Sequence, residues 1–143
     1  MRVAALFDIH GNLPALEAVL HEISQADVDM IVVGGDVVAG PMPVESLDAL
    51  LTLPIPVRYL QGNADREVLA QRAGSDAGAV PEQILPIVRW VVGKLSADQA
   101  QQMTTWPATV RLTIADLGEV LFCHATPRSD SEVFTRLTPE AQI

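Results

Sequence analysis

The sequence predicts an α/β protein built around a parallel sheet, and two patterns indicate this class. Up to Leu60, short apolar runs alternate with segments whose apolar side chains recur at helical spacing. This alternation is typical of parallel strands joined by right-handed crossovers through helices. Beyond Pro107 the apolar period changes to two, which predicts an antiparallel hairpin.

The elements of the first half follow in order from these runs. Asn12 suits the N-cap of the first helix, because its short side chain can accept a backbone N–H, and Pro14 suits the first turn. The predicted elements are the strand Val3–Phe7, a helix from Leu13 to about Ala26, the strand Met30–Val33, the helix Val44–Leu51 and the strand Val57–Leu60.

The second half predicts three helices, a hairpin and a helical turn near the end. Ser96-Ala97-Asp98-Gln99 has the form of a capping box, so a helix should begin there. The other predicted elements are a short helix Glu67–Gln71, a loop Gly74–Gly78, an apolar helix from Ile84 to Leu95, hairpin strands around Val110–Ile114 and Val120–Cys123, and a helix opening at Thr138.

The composition fits one globular domain over residues 1–143. Hydrophobic residues make up 49% of the chain, and nine basic against eighteen acidic side chains give a net charge of −9. The basic residues are scattered, so we expect no nucleic-acid polymer as a partner. One cysteine, no secretory signal and no apolar run of ~20 residues predict a cytoplasmic protein with no membrane span.

Four short segments place metal-binding side chains directly after predicted strands. They are Asp8-Ile9-His10, Gly35-Asp36, Gly62-Asn63 and Cys123-His124. Ligands of open α/β sheets collect at the carboxyl ends of the strands, so these side chains should meet at one edge. Mixed carboxylate, amide and imidazole donors suit a pair of divalent transition metals.

The arrangement of these donors predicts their roles. Asp36 is the natural carboxylate to bridge two metals, and Asp8 and His10 would point the same way in an extended segment. Each segment alone also has a structural explanation, since Asp and Gly-Asn after strands commonly form turns and a histidine there commonly packs at a rim. The occurrence of all four segments in order favours a site.

These motifs resemble those of the calcineurin-like metallophosphoesterase superfamily. The run Asp8–Leu20 and the segment Gly62–Arg66 are similar to its small bacterial and archaeal phosphodiesterase branch, and the resemblance extends from Val3 to about Pro127. It implies a four-layer α/β/β/α sandwich of two mixed sheets. It also implies in-line attack on a phosphoester by hydroxide held between two metals.

The resemblance carries over position by position. It implies that Asp8 and His10 bind one metal, that Asp36 bridges, and that Asn63 and His124 bind the second. We expect Asp36, Asn63 and Asp65 to take part in catalysis, and Arg66 and Arg128 to bind substrate phosphate. Manganese is the expected metal, with iron, zinc and nickel as alternatives.

Two departures from the family pattern qualify this expectation. Many relatives have a histidine after the Gly-Asn pair that assists the leaving group, whereas this chain has Ala64. The family also has a late Gly-His-x-His segment with one histidine for each metal, and this sequence ends before such a segment. We therefore expect a longer gene product, and weak metal binding by the 143-residue chain alone.

The predicted function is metal-dependent hydrolysis of a small or nucleotide-like phosphoester, most simply a phosphodiester. A dinucleoside polyphosphate or protein phosphatase is an alternative that Ala64 disfavours. A non-catalytic scaffold of the same fold, like the retromer subunit that resembles this family, is a second alternative. Retention of all five earlier ligands disfavours the scaffold, and the sequence leaves a homo-oligomer open.

Overall fold

The computed structural model describes residues 1–75 and 80–142, and its strands form two sheets. The first sheet is parallel with the order β1-β2-β3, and the second is an antiparallel pair. The strands are β1 Val3–Leu6, β2 Met30–Val33, β3 Val57–Tyr59, β4 Thr109–Ile114 and β5 Gly118–Cys123. The predicted α/β class, its parallel sheet and its hairpin are therefore confirmed.

The helices of the described residues connect and cover these strands. They are α1 Leu13–Ser24, α2 Pro43–Leu51, α3 Asn63–Arg72, α4 Leu85–Lys94 and α5 Ala97–Met103. The Asn12 side chain accepts from Ala15 N, and Ser96 and Gln99 cap each other reciprocally, so both predicted caps are confirmed.

Two helix predictions differ from the structure. Helix α3 begins at Asn63 rather than Glu67, because Gly62 is its N-cap and Asp65 closes its first turn. The helix predicted at Thr138 is only a 3₁₀ turn, Glu140–Gln142. The predicted loop Gly74–Gly78 lies partly outside the described residues.

The core is centred on β2, because this strand has a neighbour on each side in the parallel sheet. Ile31, Val32 and Val33 are fully buried there. The same cluster includes Leu47 and Leu50 of α2. Apolar side chains of α3, α4 and α5 belong to it or pack against it. Complete burial of one such aliphatic side chain stabilises a fold by about 1.5–3 kcal/mol, so β2 is a rigid base for the loop that follows it.

Tyr59 links β3 to α2 and to the loop between α5 and β4. Its ring stacks on Trp106 with centroids 5.0 Å apart, and its hydroxyl donates to the backbone oxygen of Leu50 over 2.9 Å. Burial raises the pKa of Tyr59 to about 12.

The hairpin is connected to the end of the parallel sheet through backbone contacts. Gln61 N, just after β3, donates to the oxygen of Pro107 over 2.9 Å. This contact brings the end of β5 near the ends of β2 and β3. Among the described residues, no helix has the combination of length and apolarity that crossing a membrane requires.

Candidate metal centre

The four predicted segments meet at one edge of the parallel sheet. Asp8 follows β1, Asp36 follows β2, Asn63 begins the helix after β3, and His124 follows β5 of the hairpin. Within the described residues, the ligand atoms of Asp8, His10 and Asp36 all lie within 4.8 Å of one another. The expectation that these side chains share one edge is met.

Asp36 lies between the two histidines. Its Oδ2 is 3.5 Å from Nε2 of His10 and 3.6 Å from Nε2 of His124. Asp8 Oδ1 is 3.8 Å from the same nitrogen of His10 and 4.0 Å from that of His124. The Asp36 side chain is only 6% exposed and that of Asp8 is 62% exposed, so the centre has one buried and one open carboxylate.

Backbone oxygens fix the orientation of both imidazole rings. Nδ1 of His124 lies 2.8 Å from the oxygen of Gly34, and Nδ1 of His10 lies 3.2 Å from the oxygen of Ala39. A carbonyl oxygen only accepts, so each Nδ1 carries the proton. In the neutral ring Nε2 is then an acceptor directed at the carboxylates, which is the tautomer that a metal-binding histidine needs.

The first turn of α3 holds the other end of the Asp36 carboxylate. Ala64 N donates to Asp36 Oδ1 over 2.9 Å, and the positive end of the helix dipole favours the negative charge there. The hydrogen-bond network orients the Asn63 amide nitrogen toward the Asp130 backbone oxygen and His124 Nε2, each 3.2 Å away. One helix terminus therefore contacts both Asp36 and His124.

The backbone around the centre has left-handed residues that are not glycine. Asp8, His10 and Asp36 have φ values of 54°, 47° and 55°, and Ala125 beside His124 has a φ of 60°. The sequence analysis had expected Asp8 and His10 to point the same way from an extended segment. Instead, the two side chains come together through left-handed backbone turns. Such conformations cost about 1–2 kcal/mol per residue and persist where the surroundings hold them.

Asp65, which we expect to take part in catalysis, lies away from the open side of the centre. It is fully buried, and its carboxylate accepts hydrogen bonds from the backbone of Val37, Val38 and Gly62. Burial and then the charge of Asp36 raise the pKa of Asp65 to about 6, against the effect of the three N–H donors. Because this side chain is enclosed, any part that Asp65 takes in catalysis would act through the backbone groups that it holds.

Arg66 and Arg128 border the centre, and each pairs with a carboxylate that the sequence analysis had not singled out. Arg66 contacts Asp130 with Nε at 2.6 Å and Nη2 at 3.1 Å. Arg128 contacts Glu132 through Nε and Nη2. The pKa of Asp130 is lowered mainly by its hydrogen bond to Arg66, and that of Glu132 mainly by Arg128. Arg128 and Glu132 are four residues apart, but they lie in a non-helical segment where that spacing does not predict a pair, so neither contact had a signal in the sequence.

A cleft of about 350 Å³ lies beside His124. The residues that line it include Arg66, Thr126, Arg128 and Ser129. Hydroxyl and guanidinium groups can donate to phosphoryl oxygens, so a phosphate at the metal centre could extend into this cleft.

The donor set fits a pair of divalent ions. Two imidazole nitrogens face two carboxylates, one of which lies near both rings. The Asn63 amide lies beside the second ring, and it would have to turn its oxygen, in place of its NH₂ group, toward an ion there. Nitrogen and oxygen donors of this kind suit Mn²⁺, Fe²⁺, Zn²⁺ and Ni²⁺. The shared carboxylate is what two cations about 3.5–4 Å apart require to offset their repulsion.

Sequence comparisons match this chain to a family model and to curated relatives. A family model described as the calcineurin-like phosphoesterase superfamily domain matches residues 1–142. Symmetrical bis(5'-nucleosyl)-tetraphosphatases of Yersinia pestis and Yersinia pseudotuberculosis are 31% identical over 130 residues, covering 87% of this chain and 43% of each relative. The chain thus spans less than half the length of the curated relatives it matches.

Solved structures with the same fold agree with this match. A hypothetical protein of Pyrococcus horikoshii superposes with a TM-score of 0.78 at 19% identity, covering 90% of this chain and 56% of that one. A metallophosphoesterase of Sphaerobacter thermophilus gives a TM-score of 0.59 at 29% identity, covering 81% and 44%. The first likeness concerns the fold alone, whereas the second also brings a metallophosphoesterase into the comparison.

Proposed function

This chain belongs to the calcineurin-like phosphoesterase superfamily, and from that premise we propose that it hydrolyses a small or nucleotide-like phosphodiester at its metal centre. The observation that carries the proposal is the position of Asp36 Oδ2, 3.5 Å from His10 Nε2 and 3.6 Å from His124 Nε2. A carboxylate that bridges two divalent ions needs such a position between the terminal ligands of each ion.

The ligands divide into two groups around Asp36. Asp8 and His10 would hold one ion, and Asn63 and His124 would hold the other. When bound, the two ions would lower the pKa of a water molecule and neutralise charge on the phosphoryl oxygens. Mn²⁺ is the metal we propose first, with Fe²⁺, Zn²⁺ and Ni²⁺ as alternatives that the same donors accept.

The protein's own groups hold this arrangement in place. Ala64 N fixes Asp36 Oδ1, so Oδ2 stays directed at the two rings. Arg66 and Arg128 line the cleft beside His124 and would orient a phosphate group there. Both arginines already pair with carboxylates, so a bound phosphate would compete with Asp130 and Glu132 for them.

Turnover of bis-p-nitrophenyl phosphate by the Mn²⁺-loaded protein tests the proposal. We expect hydrolysis that Asp36→Ala reduces by more than the 10–100-fold that loss of an outer-shell partner typically costs. His21→Ala is the matched control, because His21 lies in the last turn of α1 and is not one of the proposed ligands, so this variant should keep the wild-type rate. Absence of turnover by the metal-loaded wild type would overturn the proposal.

A second candidate is cleavage of a dinucleoside polyphosphate, which the 31% identity to symmetrical tetraphosphatases supports. Ala64 argues against it, because such enzymes usually keep a histidine at this position. Parallel assays on diadenosine tetraphosphate and a simple phosphodiester, with one metal and one enzyme preparation, separate the two. A much higher kcat/KM for the tetraphosphate would replace the phosphodiesterase proposal.

A cytoplasmic location is part of the same proposal. It is supported by the single cysteine, Cys123, which has no second thiol in the sequence to form a disulfide.

Retention of all five ligands disfavours the scaffold alternative, because a scaffold requires none of them.

A further inference from the structure

We propose that Asp65 is a positioning residue that joins the loop after β2 to the first turn of α3, and so fixes Asp36 relative to Asn63. This inference rests on the proposed function, because the two residues it positions are the bridging ligand and a ligand of the second metal. It assigns Asp65 a purpose that requires no contact with substrate.

The two oxygens of Asp65 serve different segments. Oδ1 accepts from Val37 N over 2.9 Å and from Val38 N over 3.3 Å, in the loop that follows Asp36. Oδ2 accepts from Gly62 N over 3.3 Å, at the N-cap of the helix that begins with Asn63. The Asp65 carboxylate thus connects the backbone next to Asp36 with the backbone next to Asn63.

These two segments are packed so closely that a small displacement would be transmitted. A Cβ atom built on Gly62 would overlap the Asp36 carboxylate, and one built on Gly35 would overlap the backbone of Gly62. Only glycine allows the chains to approach this far. A shift of either segment would therefore move Asp36 Oδ2 relative to the histidines.

The Val37 and Val38 amides need the acceptor that Asp65 supplies. Both residues are fully buried, and a buried N–H without a partner costs about 1–3 kcal/mol. They directly follow Asp36, whose left-handed φ of 55° must be held by its surroundings. Asp65 therefore stabilises the conformation that aims Asp36 at the centre.

A carboxylate suits this position better than its amide isostere. An asparagine could keep an oxygen toward Val37 and Val38, but its NH₂ group would then face the N–H of Gly62. Two donors in contact repel, so Asp65→Asn should break the hydrogen bond to Gly62 N, next to Asn63. The substitution preserves the size of the side chain and most of its packing.

The experiment is a Zn²⁺ titration of the wild type and variants, followed by imidazole NMR well below the unfolding temperature. The chain has three histidines, and His21 on α1 is an internal reference beside His10 and His124. In the wild type we expect the His10 and His124 signals to shift while His21 does not. In Asp65→Asn we expect the same shifts at about 10–100-fold higher Zn²⁺.

Ser46→Ala is the matched control for removing a buried polar group. Ser46 is fully buried in α2 and its Oγ has no partner within the described residues, so this change should leave the Zn²⁺ affinity at the wild-type level. If Asp65→Asn does not fold, amide exchange in the wild type gives the answer. Slow exchange at Val37, Val38 and Gly62, slowed further by Zn²⁺, supports the inference, and fast exchange at these amides with Zn²⁺ bound overturns it.

The outcomes separate the inference from the function on which it rests. If the wild type shows no Zn²⁺-dependent shift at His10 or His124, both the metal centre and the inference fail. If the wild type binds Zn²⁺ and folded Asp65→Asn binds it equally well, only the inference fails. Weaker binding by folded Asp65→Asn, with unchanged binding by Ser46→Ala, supports it.

Discussion

His10 and His124 illustrate how backbone groups set the chemistry of single residues in this protein. Each ring gives Nδ1 to a carbonyl oxygen, of Ala39 or Gly34, and directs Nε2 toward Asp36. Because backbone positions depend on the fold, a surface substitution near the centre should not change the tautomer of either ring. The metal-binding form is therefore a property of the folded chain.

Substitution of Ala64 should change how strongly the rate of hydrolysis depends on the leaving group. Its backbone N–H holds Asp36 whatever its side chain, so Ala64→His should leave the bridging carboxylate in place. A general acid contributes typically 10²–10⁴-fold, so we expect the variant to hydrolyse diesters with poor leaving groups up to about that much faster. Diesters with good leaving groups should gain little.

The measurement is kcat/KM across a series of aryl and alkyl phosphodiesters of increasing leaving-group pKa. The wild-type rate should fall more steeply along the series than that of Ala64→His. Equal slopes would contradict a missing general acid. Circular dichroism and Zn²⁺ affinity serve as controls that the variant folds and loads as the wild type does.

At single positions the sequence predicted which candidate ligands come together, but not what holds them. Asp8, Asp36 and His124 could be recognised because each follows an apolar strand, and the end of a strand has a known place in a sheet. The burial of Asp65 could not, because two of its three partners are the backbone amides of Val37 and Val38, 28 and 27 residues away in the chain. Sequence patterns carry little information about which distant N–H groups a carboxylate will meet.

Helix α3 is the element in which local sequence and structure differ most. Gly62-Asn63 is typical of a turn, and the sequence analysis predicted that the helix starts after it, at Glu67. The helix begins at Asn63 because the Asp65 carboxylate accepts from the N–H of its N-cap, Gly62, within the tertiary structure. The earlier start gives the centre an N–H group at Ala64 and a positive helix terminus.

Strand β3 should respond to alkaline pH through Tyr59, the single tyrosine of the chain. Its pKa rises from 10.0 to about 12 in the folded protein because of burial. Below pH 10 both states hold the proton, whereas above it the unfolded chain loses the proton first. This contribution to stability is therefore present below pH 10 and is lost as the pH rises through about 12.

Urea unfolding across this pH window measures the effect. We expect the wild-type free energy of unfolding to fall between pH 10 and about 12 more steeply than that of Tyr59→Phe, which has no phenol to ionise. Tyr59→Phe should also be less stable at neutral pH, because it loses the hydrogen bond to Leu50. Parallel curves for the two proteins would refute the prediction.

For the molecule as a whole, the metal centre joins parts that are far apart in the chain. Three loops come from the parallel sheet and the fourth follows the hairpin, which contacts the sheet edge through Gln61 and His124. Ligand binding at such a junction should stabilise the whole fold, because the unfolded chain cannot assemble the site.

Chelation tests this coupling. At a metal concentration 100 times Kd, binding stabilises a fold by about 2.7 kcal/mol, which for this size corresponds to roughly 5–10 °C in Tm. We expect a chelator to lower the Tm of the wild type by that amount and to leave Asp36→Ala nearly unchanged. A chelator effect of equal size in both proteins would indicate metal bound elsewhere.

The left-handed residues around the centre have a consequence for remote mutations. Asp8, His10, Asp36 and Ala125 hold backbone conformations that an isolated chain would leave, so the centre is strained and the core must keep it so. A folded domain has only about 5–15 kcal/mol of net stability, and the cost of four such residues, about 1–2 kcal/mol each, is of the same order. Weakening the β2 core should thus relax these turns and abolish ion binding while the helices are still intact.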